Sequence, residues 1–284
     1  MKKTLLTICL VWMCFSLSAQ KIIDLSGKWS FSIDRQDNGE KEKWFSHTLN
    51  DFINLPGSMP EKLKGDEVTA KTQWTGSLYD SSYYYNPYME KYRKEGNIKF
   101  PFFLTPDKHY VGAAWYQKEV NIPADWKGER ILLFLERPHI ETTVWVNGQK
   151  TGIQNSLCVP HQYDITRYVR PGKCTITIRV DNRIKEINVG PDSHSITDQT
   201  QGNWNGIVGR ICLQTTPKTY FDDIQIYPEP EQKLARVKVV IKGTGTAKVK
   251  LSAESFNTDK KHIVPAIQQE IKLNKGVTET EMVL

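Results

Sequence analysis

Hydrophobic and polar residues alternate with the period of a β-strand along most of the chain. Ile176, Ile178 and Val180 are separated by polar residues, which predicts a strand with one buried face. The continuous apolar run Ile131–Leu135 lies between charged residues and predicts a strand buried on both faces. Asn147-Gly148 is typical of a hairpin turn. Many short strands separated by turn residues predict a β-sandwich or jelly roll.

The pattern changes after Pro217. Alternating apolar positions continue at 235–241 and 247–253, but aromatic residues become scarce. We expect about five strands from Asp222 to Leu284, whereas an immunoglobulin-type sandwich has about seven strands in about 100 residues. Because the alternation continues to Leu284, we expect a fragment or truncated gene product. Its unpaired edge and apolar face would favour aggregation or partial unfolding beyond Pro217.

One short helix is predicted inside an aromatic-rich insertion at 74–103. Asn86 can cap it, Pro87 suits its first position, and Gly96 suits its end. Glu90 and Lys94 are four residues apart in the favourable order. The aromatic rings of the insertion could stack on sugar faces. They could instead pack onto the sandwich as a compact loop, which is the interpretation we favour for most of them.

Composition removes several classes of protein. The chain has 284 residues, of which 39% are hydrophobic and 25% charged, so intrinsic disorder is excluded. A (β/α)₈ barrel needs about 250 residues of alternating strands and helices, and that alternation is missing. The formal charge is +6, but basic and acidic residues are interspersed. Without a basic stripe, we expect no nucleic acid partner.

The first residues have the layout of a secretory signal peptide. Lys2 and Lys3 precede an apolar run at 5–17, and cleavage is expected after Ala19. A membrane span needs about 20 apolar residues, more than this run provides. We therefore predict a signal peptide at 1–19 and an exported protein, periplasmic or extracellular, with no membrane span after cleavage.

Cysteine, metal and cofactor patterns are uninformative or absent. Cys158, Cys174 and Cys212 follow the predicted cleavage point and allow at most one disulfide, whose formation the sequence leaves open. We expect all three to be small buried hydrophobic residues. No cysteine or histidine spacing fits zinc, and no phosphate loop or dinucleotide fingerprint occurs, so we predict no metal and no cofactor.

The strongest candidate for chemistry is the polar run at 198–210. Amides, a hydroxyl and an acid around one tryptophan suit a polyol ligand, whose adjacent hydroxyl groups accept and donate hydrogen bonds. A polar turn leading into the next strand explains the same residues equally well. The predicted carbohydrate-binding residues are Asp198, Thr200, Gln201, Asn203, Trp204 and Asn205.

Glu136 and Glu141 could form the carboxylate pair of a retaining glycosidase. We favour a structural role for them, with Glu136 forming an ion pair with Arg137 at the end of a strand. A serine nucleophile has no support, because no G-x-S-x-G elbow occurs.

Seven short segments occur together in the order found in family-2 glycoside hydrolases, which include β-galactosidases, β-glucuronidases and β-mannosidases. The chain resembles the N-terminal part of this family in residues 21 to 217. The segments are Leu25–Phe31, Leu55–Ser58, Ala114–Lys118, Leu135–Arg137, Val144–Gly148, Arg179–Asn182 and Trp204–Ile207.

The resemblance implies an all-β fold in two units. A galactose-binding-like jelly-roll sandwich at 20–217 would bind sugar, and an incomplete immunoglobulin-like β-sandwich would follow at 218–284. Both catalytic glutamates of the family lie on a later barrel, so no catalytic residue is expected in this chain. The partners implied are a terminal β-glycoside and the missing catalytic barrel.

The family commonly places an acidic residue just before the pair matched by Gly206-Ile207. Thr200 or Gln201 is nearest that position here, and Asp198 lies slightly upstream. The resemblance therefore implies a non-catalytic, carbohydrate-binding portion of a β-glycosidase. The alternatives are a free-standing carbohydrate-binding module and a purely structural exported domain.

Overall fold

The structure is a computed structural model that describes residues 21–76, 81–185, 192–256 and 259–284. The predicted signal peptide at 1–19 lies outside the described residues. Within the described residues, no helix has both the length and the apolar character needed to cross a membrane.

Two antiparallel sheets form the first unit, and the prediction of an all-β fold is confirmed. The order of the first sheet is β1-β13-β8-β11, with β4 also paired to β13, and the order of the second is β10-β9-β12-β7-β2-β3. β5 and β6 form a separate two-stranded ribbon. The strands are β1 Ile22–Asp24, β2 Gly27–Asp34, β3 Asp51–Leu55, β4 Gly57–Ser58, β5 Asp66–Glu67, β6 Lys108–His109, β7 Ala113–Ile122, β8 Arg130–Pro138, β9 Glu141–Val146, β10 Gln149–Asn155, β11 His161–Asp164, β12 Gly172–Asp181 and β13 Gly206–Thr216.

The main core lies between these two sheets and follows the alternating pattern. Ile176 and Ile178 of β12 are fully buried in the same cluster as Leu133 and Leu135 of β8. Phe134 is only half-buried, so the expectation that both faces of this run are buried is wrong at that position. At the predicted hairpin, Asn147 and Gly148 have φ of +50° and +76°, as a type I′ turn requires.

The second unit is a single antiparallel sheet in the order β14-β15-β16. Its strands are β14 Tyr220–Glu229, β15 Leu234–Glu254 and β16 Ile263–Val283. The expectation of about five strands is wrong, because the two alternating segments at 235–241 and 247–253 belong to one strand. The pairing register shifts between Gly243 and Gly245, so the chain passes through a bulge there without turning back.

Val237, Val239 and Ile241, from the first half of β15, are buried in one cluster with Val249 and Ile271 from the distal part of the hairpin. β14, at the edge of this sheet, lacks comparable cover. Phe221, Ile224 and Ile226 are 53%, 50% and 65% exposed. An exposed apolar edge strand offers both backbone groups and apolar surface to another chain.

We therefore expect Ile226→Lys to reduce self-association of the chain with little change in folding. A lysine at this exposed edge position repels a second copy and keeps its charge in water. Light scattering across a concentration series measures the effect, with Val159→Lys, a 59% exposed position outside this sheet, as the control. Equal association of Ile226→Lys and the unmodified chain would contradict the prediction.

The helical turns are short. The only α-helix in the described parts of the chain is α1, Ser82–Tyr85, and 3₁₀ turns occur at Trp44–Ser46, Pro87–Arg93, Ala124–Trp126 and Pro230–Gln232. The Asn86 side chain caps the turn at Pro87–Arg93 by accepting the Tyr88 N–H at 2.9 Å, as predicted. The turn is 3₁₀ and ends before Gly96, because so short a segment favours i→i+3 bonds over an α-helix.

Cys158, Cys174 and Cys212, the cysteines of the described residues, are free thiols. Cys174 and Cys212 are buried, as expected, whereas Cys158 is exposed, so the expectation is wrong for Cys158.

Candidate functional site

Residues 198–205 of the polar run lie in the loop between β12 and β13, and Asp198 holds them in place. The Asp198 side chain is 2% exposed. Its Oδ2 accepts the Thr75 N–H at 2.7 Å and lies 3.1 Å from His109 Nε2. Its Oδ1 accepts the Asn203 N–H at 2.7 Å. The carboxylate therefore binds protein groups, which makes Asp198 a positioning residue of the loop.

Asn203 is the second buried anchor. Its Nδ2 donates to Thr75 Oγ1 at 2.9 Å and to the Asn182 carbonyl at 3.0 Å. Its Oδ1 lies 3.2 Å from His139 Nε2. An amide oxygen only accepts, so His139 carries its proton on Nε2. Both ends of the Asn203 amide are thus occupied inside the protein.

Asn205 joins the loop to the sandwich. Its Nδ2 donates to the Gly112 carbonyl at 2.9 Å and to the Val180 carbonyl at 3.0 Å. Its Oδ1 accepts the Tyr116 hydroxyl at 2.7 Å. Asn205 is 1% exposed, so it too acts from within the fold.

The other three predicted residues retain surface that a ligand can reach. Trp204 is half-buried and stacks on His139, with ring centroids 4.5 Å apart and planes 30° apart. The Thr200 hydroxyl donates to the His194 carbonyl at 2.7 Å and keeps its acceptor capacity. Gln201 is exposed. The loop therefore presents one aromatic ring, one hydroxyl and one amide on a buried polar base.

The aromatic insertion packs partly on itself and partly beside this loop. Trp74 contacts Phe100, Phe102 and His109, with ring centroids 4.6 to 5.0 Å apart. Phe103 is 82% exposed, and its backbone N–H donates to the Gln199 carbonyl at 3.2 Å. The exposed rings Tyr85 and Tyr88 depart from the interpretation that the insertion packs as a compact loop, whereas Tyr84 packs edge-on against Tyr83. Tyr79 lies outside the described residues.

Comparison with known families identifies this arrangement. A family model described as "Glycosyl hydrolases family 2, sugar binding domain" matches residues 22–217. The chain belongs to family 2 of the glycosyl hydrolases. The resemblance seen in the sequence is thereby confirmed.

Curated relatives include several named β-glucuronidase. The human protein is 24% identical over 266 residues, which cover 84% of this chain and 35% of the human one. The protein of Paenibacillus borealis is 25% identical over 222 residues, covering 73% of this chain and 31% of the relative. The chain therefore spans about a third of the length of these relatives.

Solved structures of family 2 share the fold. A Bacteroides uniformis β-glucuronidase, solved with a covalently bound cyclophellitol-6-carboxylate aziridine, aligns with a TM-score of 0.59 at 16% identity. The match covers 94% of this chain and 28% of that one. The Ruminococcus gnavus β-glucuronidase aligns with a TM-score of 0.53 at 17% identity, covering 92% of this chain and 38% of that one.

In this family-2 chain, Glu136 and Glu141 are held in ion pairs. Glu136 Oε2 accepts the Arg210 N–H at 2.9 Å and its Nε at 3.1 Å, and these bonds lower the pKa of Glu136. The Arg137 guanidinium is 3.8 Å away, so Arg210 replaces Arg137 as the main partner. The bulge at Gly209, next to Arg210, creates this contact, which sequence spacing did not indicate. Lys185 pairs with Glu141 at 2.9 Å.

Asp181, at the end of β12, holds the other side of the loop. Its side chain is fully buried and pairs with Arg179 at 3.0 Å, Arg183 at 2.6 Å and Lys185 at 2.8 Å. The carbonyl of the next residue, Asn182, accepts the amide of Asn203. The segment Arg179–Asn182 was noted in the sequence only for its resemblance to the family. The sequence did not predict that Arg179 and Asp181 form a buried ion network.

Within the described residues, no group of three histidine, cysteine or acidic side chains is placed to hold a metal ion. The absence of a cofactor stays a prediction.

Proposed function

We propose that this chain is the non-catalytic sugar-binding portion of an exported family-2 β-glycosidase of the β-glucuronidase group. The observation that carries the proposal is the family match over residues 22–217, which includes the loop presenting Trp204. The names of the curated relatives favour a β-glucuronide as the substrate of the complete enzyme. Export rests on Lys2, Lys3 and the apolar run that follows them.

In this proposal, the loop contacts the terminal sugar. The Trp204 ring stacks on an apolar face of the pyranose, while Thr200 and Gln201 form hydrogen bonds with its hydroxyl groups. Asp198, Asn203 and Asn205 hold the loop in place from below. Hydrolysis itself belongs to two glutamates of a barrel domain in the complete enzyme, acting with retention of configuration and without a metal.

The first test is an assay of hydrolysis. We expect the purified chain alone to release no p-nitrophenol from p-nitrophenyl β-D-glucuronide, -galactoside or -mannoside, because Glu136 and Glu141 are committed to ion pairs. A complete polypeptide that includes a barrel domain is the positive control. Turnover by the chain alone would overturn the proposal.

The second test addresses the loop in the complete polypeptide. We expect Trp204→Ala to raise KM about fivefold, because one ring stacked on a sugar contributes about 1 kcal/mol. Tyr88→Ala, which removes an 85% exposed ring of the insertion, is the matched control and should leave KM unchanged. Unchanged kinetics in Trp204→Ala would remove the loop from the sugar site.

A further inference from the structure

A cavity lies on the outer face of the six-stranded sheet. It has a volume of about 290 Å³ and is lined by Phe45, His47, Thr48, Gln117, Asn147 and Thr175, among others. We call it the outer-face cavity. We call the loop at 198–205 the sugar loop. β7 begins beside this loop at Ala113, and Gln117 lies four residues further along β7, about 13 Å from Ala113.

One wall of the outer-face cavity is a fixed aromatic ring. Phe45 stacks on Trp145 with centroids 5.2 Å apart and planes 7° apart. Trp145 in turn stacks on Trp115 with centroids 5.0 Å apart. Trp115 and Trp145 are 0% and 2% exposed, so Phe45 rests on a buried aromatic base. A ring held in this way can bind a flat apolar ligand face without a loss of its own freedom.

The polar groups around this wall still have hydrogen-bonding capacity. Gln117 is 7% exposed, and its Nε2 donates to the His47 carbonyl at 3.2 Å and to Thr177 Oγ1 at 3.1 Å. Within the described part of the chain, its Oε1 accepts no hydrogen bond. The hydroxyl groups of Thr48 and Thr175 likewise have no partner among the described residues. These oxygen atoms are therefore open to hydrogen bonds from a ligand or from water.

The lining residues of the outer-face cavity include no lysine, arginine, aspartate or glutamate. An aromatic wall facing an amide oxygen and hydroxyl groups matches a pyranose, which has an apolar face and a rim of hydroxyl groups. A carboxylate would meet no lysine or arginine among these lining residues. We propose that the outer-face cavity binds one neutral pyranose unit, as a second carbohydrate site on this chain that does not depend on the sugar loop.

The proposal is tested by titrating the ¹⁵N-labelled full chain, followed by NMR. The probes are methyl β-D-glucopyranoside, methyl β-D-galactopyranoside and methyl β-D-mannopyranoside, with cellobiose to represent a sugar unit within a glycan. We expect saturable shifts of the Gln117 side-chain amide and the Gly148 backbone amide with at least one probe. No saturable shift at these groups, or tighter binding there of methyl β-D-glucuronide, would overturn the proposal.

Variants separate this site from general effects on folding. We expect Phe45→Ala to weaken binding about tenfold or more, and Thr175→Val to weaken it severalfold. Phe52→Ala is the matched control, because Phe52 is 47% exposed, lies on the same sheet and does not line the cavity. Thr175→Val keeps the test valid if Phe45→Ala does not fold. Undiminished binding in Thr175→Val, or in a folded Phe45→Ala, would also overturn the proposal.

Trp204→Ala distinguishes the two sugar sites. Because the proposed function assigns Trp204 to the loop, this variant should leave the shifts of Gln117 and Gly148 unchanged. Loss of those shifts in Trp204→Ala would show that the probe binds at the loop, which overturns the outer-face site and leaves the proposed function intact.

Discussion

Replacing Asp181 by Ala is expected to lower the free energy of unfolding of the first unit by about 3–5 kcal/mol. The Asp181 carboxylate is fully buried and pairs with Arg179, Arg183 and Lys185. Burial alone would raise the pKa of Asp181, but hydrogen bonds from Arg183 and Lys185 hold it well below its ordinary value. Without the carboxylate, the Arg179 side chain, 8% exposed, keeps Asp37 at 2.7 Å and Glu141 at 3.6 Å but loses its buried partner.

Urea unfolding of the chain, followed by tryptophan fluorescence, measures this loss. Glu119→Ala is the matched control, because it removes an acid of the same sheet whose partner is Lys173 in a pair that is 58% and 80% exposed. Such a surface pair contributes about 1 kcal/mol or less. If the free energies of unfolding of Asp181→Ala and Glu119→Ala differ by less than about 1 kcal/mol, the range of a surface pair, the ion network around Asp181 has no special role in stability.

Strands were easier to predict than the ion network around Asp181, because a strand is encoded by neighbouring residues and the network joins residues that are far apart in the sequence. Ile176 and Ile178 show their burial in the alternation itself, since adjacent side chains on a strand face opposite sides. Asp37 pairs with Arg179 across 142 residues of sequence, and no local pattern encodes such a contact. The prediction of two separate strands at 235–241 and 247–253 was wrong for a related reason. Two nearby glycines can turn a strand back or only shift its pairing register, and the sequence does not distinguish these outcomes.

The sugar loop shows the same limit in the candidate site. Its composition indicated a polar binding loop, but it could not show which side chains face inward. That division depends on distant partners, because Thr75 and His109 bind Asp198, and Gly112 binds Asn205. Residue type alone points to Trp204, whereas its stacking partner His139 is distant in the sequence and no local pattern connects the two.

Acid is expected to destabilise the chain steeply between pH 6.5 and about 4, because of two buried histidines. Burial lowers the pKa of His139 from 6.5 to about 4, although Asn203 and Asp198 act in the opposite direction. Burial also lowers the pKa of His161 to about 4, against an opposing hydrogen bond from the backbone of Ser156. In this range the unfolded chain binds both protons and the folded chain binds neither.

The free energy of unfolding therefore falls as the pH falls, by about 1.4 kcal/mol per pH unit for each histidine. The stabilisation is complete above pH 6.5 and is lost by about pH 4, where the folded histidines also accept protons. Asp181 does not contribute in this window, because its lowered pKa keeps it ionised in the folded chain and its ordinary unfolded pKa is about 3.9.

Urea unfolding at half-unit steps from pH 7.5 to 4.5 tests this expectation. His161→Asn removes one of the two histidines that bind a proton on unfolding. The slope of its unfolding free energy against pH should therefore be about half that of the unmodified chain, whatever its absolute stability. His262→Gln, at an exposed position in the second unit, is the control and should keep the full slope. Equal slopes in all three proteins would mean that His161 takes up a proton in the folded state as readily as in the unfolded chain.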